Sequence, residues 1–319
     1  MALLEVRELT KRFALSRRKS WLEREAVTAV NRLSFDLEEG RTLGVVGESG
    51  CGKTTLGKLL LRLVEPDSGG VRFLGADWLA LRGGDLRSRR RDMQMVFQDP
   101  QASLNPRMRV GEAITEPLVI HEGLGAAGRA RAAGALMERV GLPGSALRRY
   151  PHEFSGGQRQ RLGIARAVST RPRLLVADEP VSSLDVSIQA QILNLLKDLQ
   201  RQDGMGMIFI AHDLRVVEFM SDQVAVMYLG RFVEQAPSRA LYTSPRHPYT
   251  RALLSAIPPA PGEEPREAEG PEGEPPSPSA PPAGCPFHPR CPLKEPRCES
   301  QAPEWREVEP EHRVACHLA

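Results

Sequence analysis

The sequence predicts an α/β fold in which a largely parallel sheet is covered by helices on both faces, and three observations carry that prediction. Short apolar runs recur at residues 42–46, 93–97, 174–177, 207–211 and 224–229, each the length of a buried strand. Between them, leucines and isoleucines repeat at helical spacing, as Leu56, Leu59, Leu60 and Leu63, then as Ile188, Ile192, Leu195 and Leu199. Strands that alternate with helices in this way build parallel sheets. With 319 residues, 41% of them apolar, the chain can bury a large core.

Taken in order, Leu33, Phe35 and Leu37 alternate with Ser34 and Asp36, the pattern of a half-buried strand. The next apolar run, 42–46, leads into GESGCGKTT at 47–55 and then into the first helical stripe. This is a phosphate-binding loop in its required setting, between a strand and a helix. Gly47, Gly50 and Gly52 let the backbone wrap closely, so that successive amides point at phosphates and the helix N-terminus adds a favourable dipole. Lys53 reaches the β- and γ-phosphates, and Thr54 offers its hydroxyl to magnesium. Glu48, Ser49, Cys51 and Thr55 complete the loop. The thiol of Cys51 is incidental, because the loop works through backbone amides.

At 174–179 the chain reads LLVADE, an apolar strand ending in two carboxylates. Alternation separates their roles: Asp178 holds magnesium through its water shell, and Glu179 faces the γ-phosphate to orient or deprotonate the attacking water. Gln98 follows the run 93–97, and His212 follows the run 207–211 at the sheet edge where open α/β folds bind ligands. Neither distinguishes itself in isolation.

The 43 basic and 40 acidic side chains nearly cancel, and a net charge of +3 gives no reason to expect nucleic acid as a partner. The basic runs at 17–19 and 89–91 read as solvated faces. No stretch of about 18 residues is apolar and uncharged, and acidic Glu5 and Glu8 with Arg7 interrupt the first ten residues, so neither a membrane span nor a secretory signal is expected. The chain should be cytosolic, with any membrane attachment indirect.

Residues 258–284 contain ten prolines and six glutamates and read as a linker. It divides a nucleotide-binding domain, 1–257, from a cysteine-rich tail, 285–319. Four of the five cysteines, Cys285, Cys291, Cys298 and Cys316, crowd that tail. In a cytosolic chain such clustering points to metal before disulfides. Four thiolates can hold a [4Fe-4S] cluster or tetrahedral zinc, and spacing alone does not choose. The lack of a CxxC pair weakens a zinc ribbon, although His288, His312 and His317 could substitute in a zinc site.

FSGGQ at 154–158, continuing RQR, is similar to the signature motif of ABC-family ATPases. The order of motifs matches as well: phosphate loop, Gln98, signature, carboxylate pair, SSLD at 182–185, and His212. The resemblance covers about residues 1–257 and implies an ABC-type nucleotide-binding domain with a helical subdomain between Gln98 and Ser155. It implies a head-to-tail dimer with two sandwiched ATPs, in which Ser155, Gly156, Gly157 and Gln158 act on the partner's nucleotide. By the same resemblance Gln98 contacts magnesium and the γ-phosphate, His212 senses that phosphate, Asp185 couples the two sites, and Phe13 in LTKRF stacks on adenine.

YPHEFSGGQRQR from Tyr150, DEPVSSLDVSIQAQILNLL from Asp178, PRHPYT at 245–250 and GEPPSPSAPPAGCPFHPRC at 273–291 look like the peptide-importer branch. That branch implies hydrolysis of ATP with Mg2+ to power di- and oligopeptide import, and a [4Fe-4S] cluster on the tail cysteines. It further implies a second, homologous ATP-binding subunit in a heterodimer, two transmembrane permeases and an extracytoplasmic binding protein. The place is then the cytoplasmic face of the cell membrane, peripherally. Nickel and glutathione importers share much of the pattern. A soluble ABC-type ATPase acting on DNA or ribosomes is the other alternative, opposed by the near-neutral charge and the lack of a coiled-coil insertion.

Overall fold

The apolar runs become strands Thr42–Val46, Met93–Val96, Leu174–Asp178, Gly206–Ile210 and Gln223–Tyr228. They belong to a computed structural model that describes residues 2–18, 24–99, 103–257 and 273–319. The chain divides into two compact units.

One unit comprises Met1–Leu4, Leu37–Thr42 and Phe73–Ile210. Here Gly206–Ile210, Leu174–Asp178 and Met93–Val96 lie side by side and parallel, with Val176 between Ile208 and Met95. Parallel neighbours cannot be joined by a tight turn, so helix Val186–Asp203 makes the crossover from Leu174–Asp178 to Gly206–Ile210. Leu174, Leu175 and Val176 have no exposed surface, and each such side chain contributes roughly 1.5–3 kcal/mol of burial energy. The crossover helix buries Ile192, Leu193, Leu196 and Leu199, whereas Ile188 and Leu195 of the expected stripe stay partly exposed. Ile188 is diverted to another contact: a Cβ on Gly157 would meet its Cγ2 at 2.6 Å.

The expected helical segments are Val110–Glu122 and Ala126–Arg139, with Gly123 ending the first at a φ of 65°. Arg166, on helix Gly156–Val168, ties the first of them to its own helix by donating to Glu116 Oε2 at 2.9 Å, and also donates to Ser103 O at 2.8 Å.

The other unit comprises Glu5–Asp36, Leu43–Arg72 and Ala211–Ala319. Thr42–Val46 pairs parallel with Gln223–Tyr228, Val45 facing Ala225. The pattern then turns antiparallel through Arg231–Pro237, His312–Val314 and Arg306–Glu309. Strands Arg24–Glu38, Ala2–Arg18 and Ser68–Phe73 lie side by side in a second sheet. Helix Lys53–Leu60 is shorter than its stripe, because Arg62 at a φ of 53° turns the chain and leaves Leu63 52% exposed.

The cysteine-rich tail is stitched into this second unit. His312–Val314 extends the antiparallel strands, with Val314 opposite Glu234, and the Ala315 amide donates to Val233 O at 2.9 Å. Residues 273–284 contain neither helix nor strand; 258–272, the rest of the proline-rich stretch, lie outside the described residues. Among the described residues no helix is long and apolar enough to cross a membrane.

Glu234, with no exposed surface, anchors the junction. It accepts the Arg246 and His247 amides at 2.6 and 2.9 Å, and its Oε1 lies 2.7 Å from His312 Nε2. Burial pushes its pKa up, but the hydrogen bonds, foremost from His312, hold it below the usual carboxylate range. His247 is also buried, and its Nδ1 accepts the Tyr249 amide at 3.0 Å. Burial pushes its pKa down to about 4 despite Glu234 nearby. An unfolded His247 therefore takes up a proton near the ordinary histidine value of 6.5, before the folded one does. Stability is expected to fall as pH drops from about 6.5 to about 4, by up to about 3 kcal/mol, with Glu234 adding loss at the acid end. Urea midpoints at pH 7, 5.5 and 4.5 check this; the slope should flatten in His247→Gln, and an unchanged slope would remove His247 as its source.

Candidate nucleotide site

The phosphate loop leaves strand Thr42–Val46 and enters helix Lys53–Leu60 through Gly52, whose φ is 113°. Gly47 is forced by close approach: a Cβ there would sit 2.1 Å from Met227 O. Lys53 is 5% exposed and donates from Nζ to Gly47 O at 2.7 Å and Glu48 O at 3.0 Å. These carbonyls hold the ammonium within the loop, where it can turn to a phosphate. Burial raises the pKa of Cys51 while Lys53 opposes it, so the thiol stays protonated and plays no nucleophile. In the same unit His212 is exposed between strand Gly206–Ile210 and helix Leu214–Met220. Asp213 caps that helix, accepting the Arg215 and Val216 amides at 2.9 and 3.4 Å.

The other unit carries the carboxylates. Asp178 ends its strand 2% exposed. Glu179 follows at a φ of 45°, left-handed backbone that a non-glycine residue adopts at a cost, held by its amide on Ile210 O at 2.8 Å. Gln98 donates from Nε2 to Glu179 Oε2 at 3.0 Å, so two residues 81 positions apart meet.

The signature opens helix Gly156–Val168. Ser155 accepts the Gln158 amide at 3.3 Å and Gln158 Oε1 accepts the Ser155 amide at 3.1 Å, a reciprocal cap on an exposed helix N-terminus. Asp185, also exposed, precedes helix Val186–Asp203, its carbonyl accepting the Ile188 and Gln189 amides.

Against known proteins, the ABC transporter family matches residues 30–182, and the oligopeptide/dipeptide transporter C-terminal region matches residues 233–298. A probable peptide ABC transporter ATP-binding protein, y4tS, of Sinorhizobium fredii is 52% identical over 99% of this chain and 90% of its own length. The chain belongs to the ABC transporter ATP-binding proteins. The oligopeptide transport ATP-binding protein AppF of Bacillus subtilis is 50% identical, over 99% of this chain and 97% of its own. Among solved structures, a post-hydrolysis dimer of the ATP-binding cassette MJ0796 with ADP and Pi is 26% identical. It covers 74% of this chain and 99% of its own, with a TM-score of 0.66. The chain is thus an ATPase of the peptide-transporter branch.

In this ABC ATPase Phe13 lies on strand Ala2–Arg18, 40% exposed, with the Lys11 ammonium 5.6 Å from its ring centre. Cys285, Cys298 and Cys316 are buried, Cys291 is partly so, and all four are free. Burial, aided by the other three thiols, pushes Cys285 up to about 11. Among the described residues no three His, Cys, Asp or Glu side chains are grouped as a single-ion site. The sequence reading missed two residues at the phosphate loop: Tyr249, whose hydroxyl accepts the Glu48 amide at 3.1 Å, and Arg290, which donates to the Glu48 carboxylate at 3.0 Å. Both sit in segments, PRHPYT and GEPPSPSAPPAGCPFHPRC, that mark the branch and carry no local sign of contact with the loop.

Proposed function

We propose that this chain is the ATP-hydrolysing subunit that powers import of di- and oligopeptides, and that the Gln98–Glu179 contact is its catalytic pair. The observation that carries the reading is the 3.0 Å bond from Gln98 to Glu179 at the end of a buried strand. A carboxylate so held can orient and deprotonate a water, while the amide can exchange its bond for the γ-phosphate. Thr54, Asp178 and Gln98 would hold magnesium, which neutralises charge on the β- and γ-phosphates. Lys53 binds those phosphates through a loop built from Gly47, Glu48, Ser49, Gly50, Cys51, Gly52, Thr54 and Thr55, and Phe13 stacks on adenine. His212 senses the γ-phosphate. Ser155, Gly156, Gly157 and Gln158 cap the partner's nucleotide, and Asp185 links the two sites.

In this reading the nucleotide-binding domain is 1–257, the linker 258–284 and the metal-binding tail 285–319. The partners are a second homologous ATP-binding subunit, two permeases and an extracytoplasmic binding protein, with this chain peripheral on the cytoplasmic face. The peptide cargo follows from likeness to y4tS and AppF, whose names are those of peptide transport proteins. Purification of the tagged chain from its own membranes in mild detergent, with mass spectrometry of what accompanies it, tests the assembly. Two permeases and a second ATPase are expected; a chain free of membrane partners would sink transport. Uptake of labelled dipeptide, against nickel and glutathione, then decides cargo.

The tail cysteines are assigned a [4Fe-4S] cluster. Three of these thiols are buried and Cys291 is partly so, and together they supply the four sulfur donors such a cluster would need. Anaerobically purified protein is expected to carry about four irons and four acid-labile sulfides. Zinc without sulfide would overturn the assignment.

A further inference from the structure

Glu48 is gripped at three points. Its amide donates to the Tyr249 hydroxyl at 3.1 Å, its carbonyl accepts Lys53 Nζ at 3.0 Å, and its carboxylate accepts Arg290 Nη1 at 3.0 Å. Arg290 comes from the cysteine-rich tail, one residue before Cys291, and is 7% exposed. Its guanidinium lies 6.0 Å from the Tyr228 ring centre, and Nη1 is 3.5 Å from the Tyr228 hydroxyl. Phe287, 1% exposed, packs on Tyr228 and Tyr249 with ring centres 5.5 and 5.3 Å away, and the Arg290 amide donates to Phe287 O at 3.0 Å. The tail's arginine thus holds the loop residue directly, and its aromatic packs on Tyr249, whose hydroxyl accepts the Glu48 amide.

We propose that Arg290 is a positioning residue for ATP binding: the C-terminal tail straps the phosphate loop through the Arg290–Glu48 ion pair and so sets nucleotide affinity. The physical need is plain. Glu48 places a carboxylate, its side chain 24% exposed, in a loop that must receive a triphosphate. Arg290 cancels that charge where the low local dielectric makes repulsion strong, and fixes the side chain so that the loop amides keep their aim. Without it, the carboxylate repels the phosphates and is free to swing.

The inference rests on residues 47–55 being a nucleotide site. The test is calorimetric titration of the full-length chain with MgATP, together with ATPase kinetics of the assembled transporter. Arg290→Ala is expected to weaken MgATP binding about tenfold and raise KM similarly, with kcat changed far less. Glu48→Gln in the Arg290→Ala background should restore affinity, because the uncompensated charge is gone; Arg290→Lys should restore part. A merely structural arginine would lower kcat and stability together, and removing the Glu48 charge would not rescue it. Should Arg290→Ala fail to fold, Arg290→Gln is read in the same way. Wild-type affinity in the folded variant overturns the strap. A wild-type chain that binds no MgATP sinks the nucleotide reading itself.

Discussion

Glu179→Gln is expected to lower ATP turnover about 10³-fold while MgATP remains bound, the size of effect that follows loss of a general base. The substitution keeps shape and backbone. A glutamine oxygen can still accept the Gln98 amide now at 3.0 Å from Glu179 Oε2, and at a φ of 45° glutamine is no more strained than glutamate. What disappears is the capacity to take a proton from water. Single-turnover hydrolysis and a filter-binding assay on the same preparation separate the two quantities. Full turnover in the variant would move the base elsewhere; loss of binding in parallel would make Glu179 a ligand of the nucleotide and not the base.

Gly52→Ala is expected to abolish MgATP binding and to destabilise the chain by about 3–5 kcal/mol, combining backbone strain with a steric clash. Its Cβ would lie 2.0 Å from the Ala29 carbonyl oxygen and 2.7 Å from Met227 Cε, at a φ of 113°. Gly50 is the internal control. It too has a positive φ, 79°, but a Cβ there meets nothing within 4 Å, so Gly50→Ala should cost only about 1–2 kcal/mol. Urea denaturation gives the stability gap and titration with MgATP the binding. Equal stability of the two variants would show that the loop does not pass against Ala29.

How much was legible beforehand varied with the kind of signal. The strands at Thr42–Val46 and Leu174–Asp178 were readable because strands buried on both faces must be continuously apolar. Ala2–Arg18 escapes the sequence reading and Arg24–Glu38 is legible only at 33–37, since charged and polar residues break up their apolar ones and leave no long uninterrupted run. The stripe at Ile188 was read one notch out, because that side chain serves the signature helix beside Gly157 and not the helix's own sheet.

The sequence by itself determined the chemistry: a phosphate loop, a carboxylate pair and a signature are local patterns whose residue types are dictated by what they must bind. Tertiary structure alone decided which distant residues meet. Gln98 touches Glu179 across 81 positions and Arg290 touches Glu48 across 242. Contacts of that range leave no periodicity in the chain, since each partner satisfies its own local pattern and only the packing of strands and tail brings the two charges or dipoles within reach.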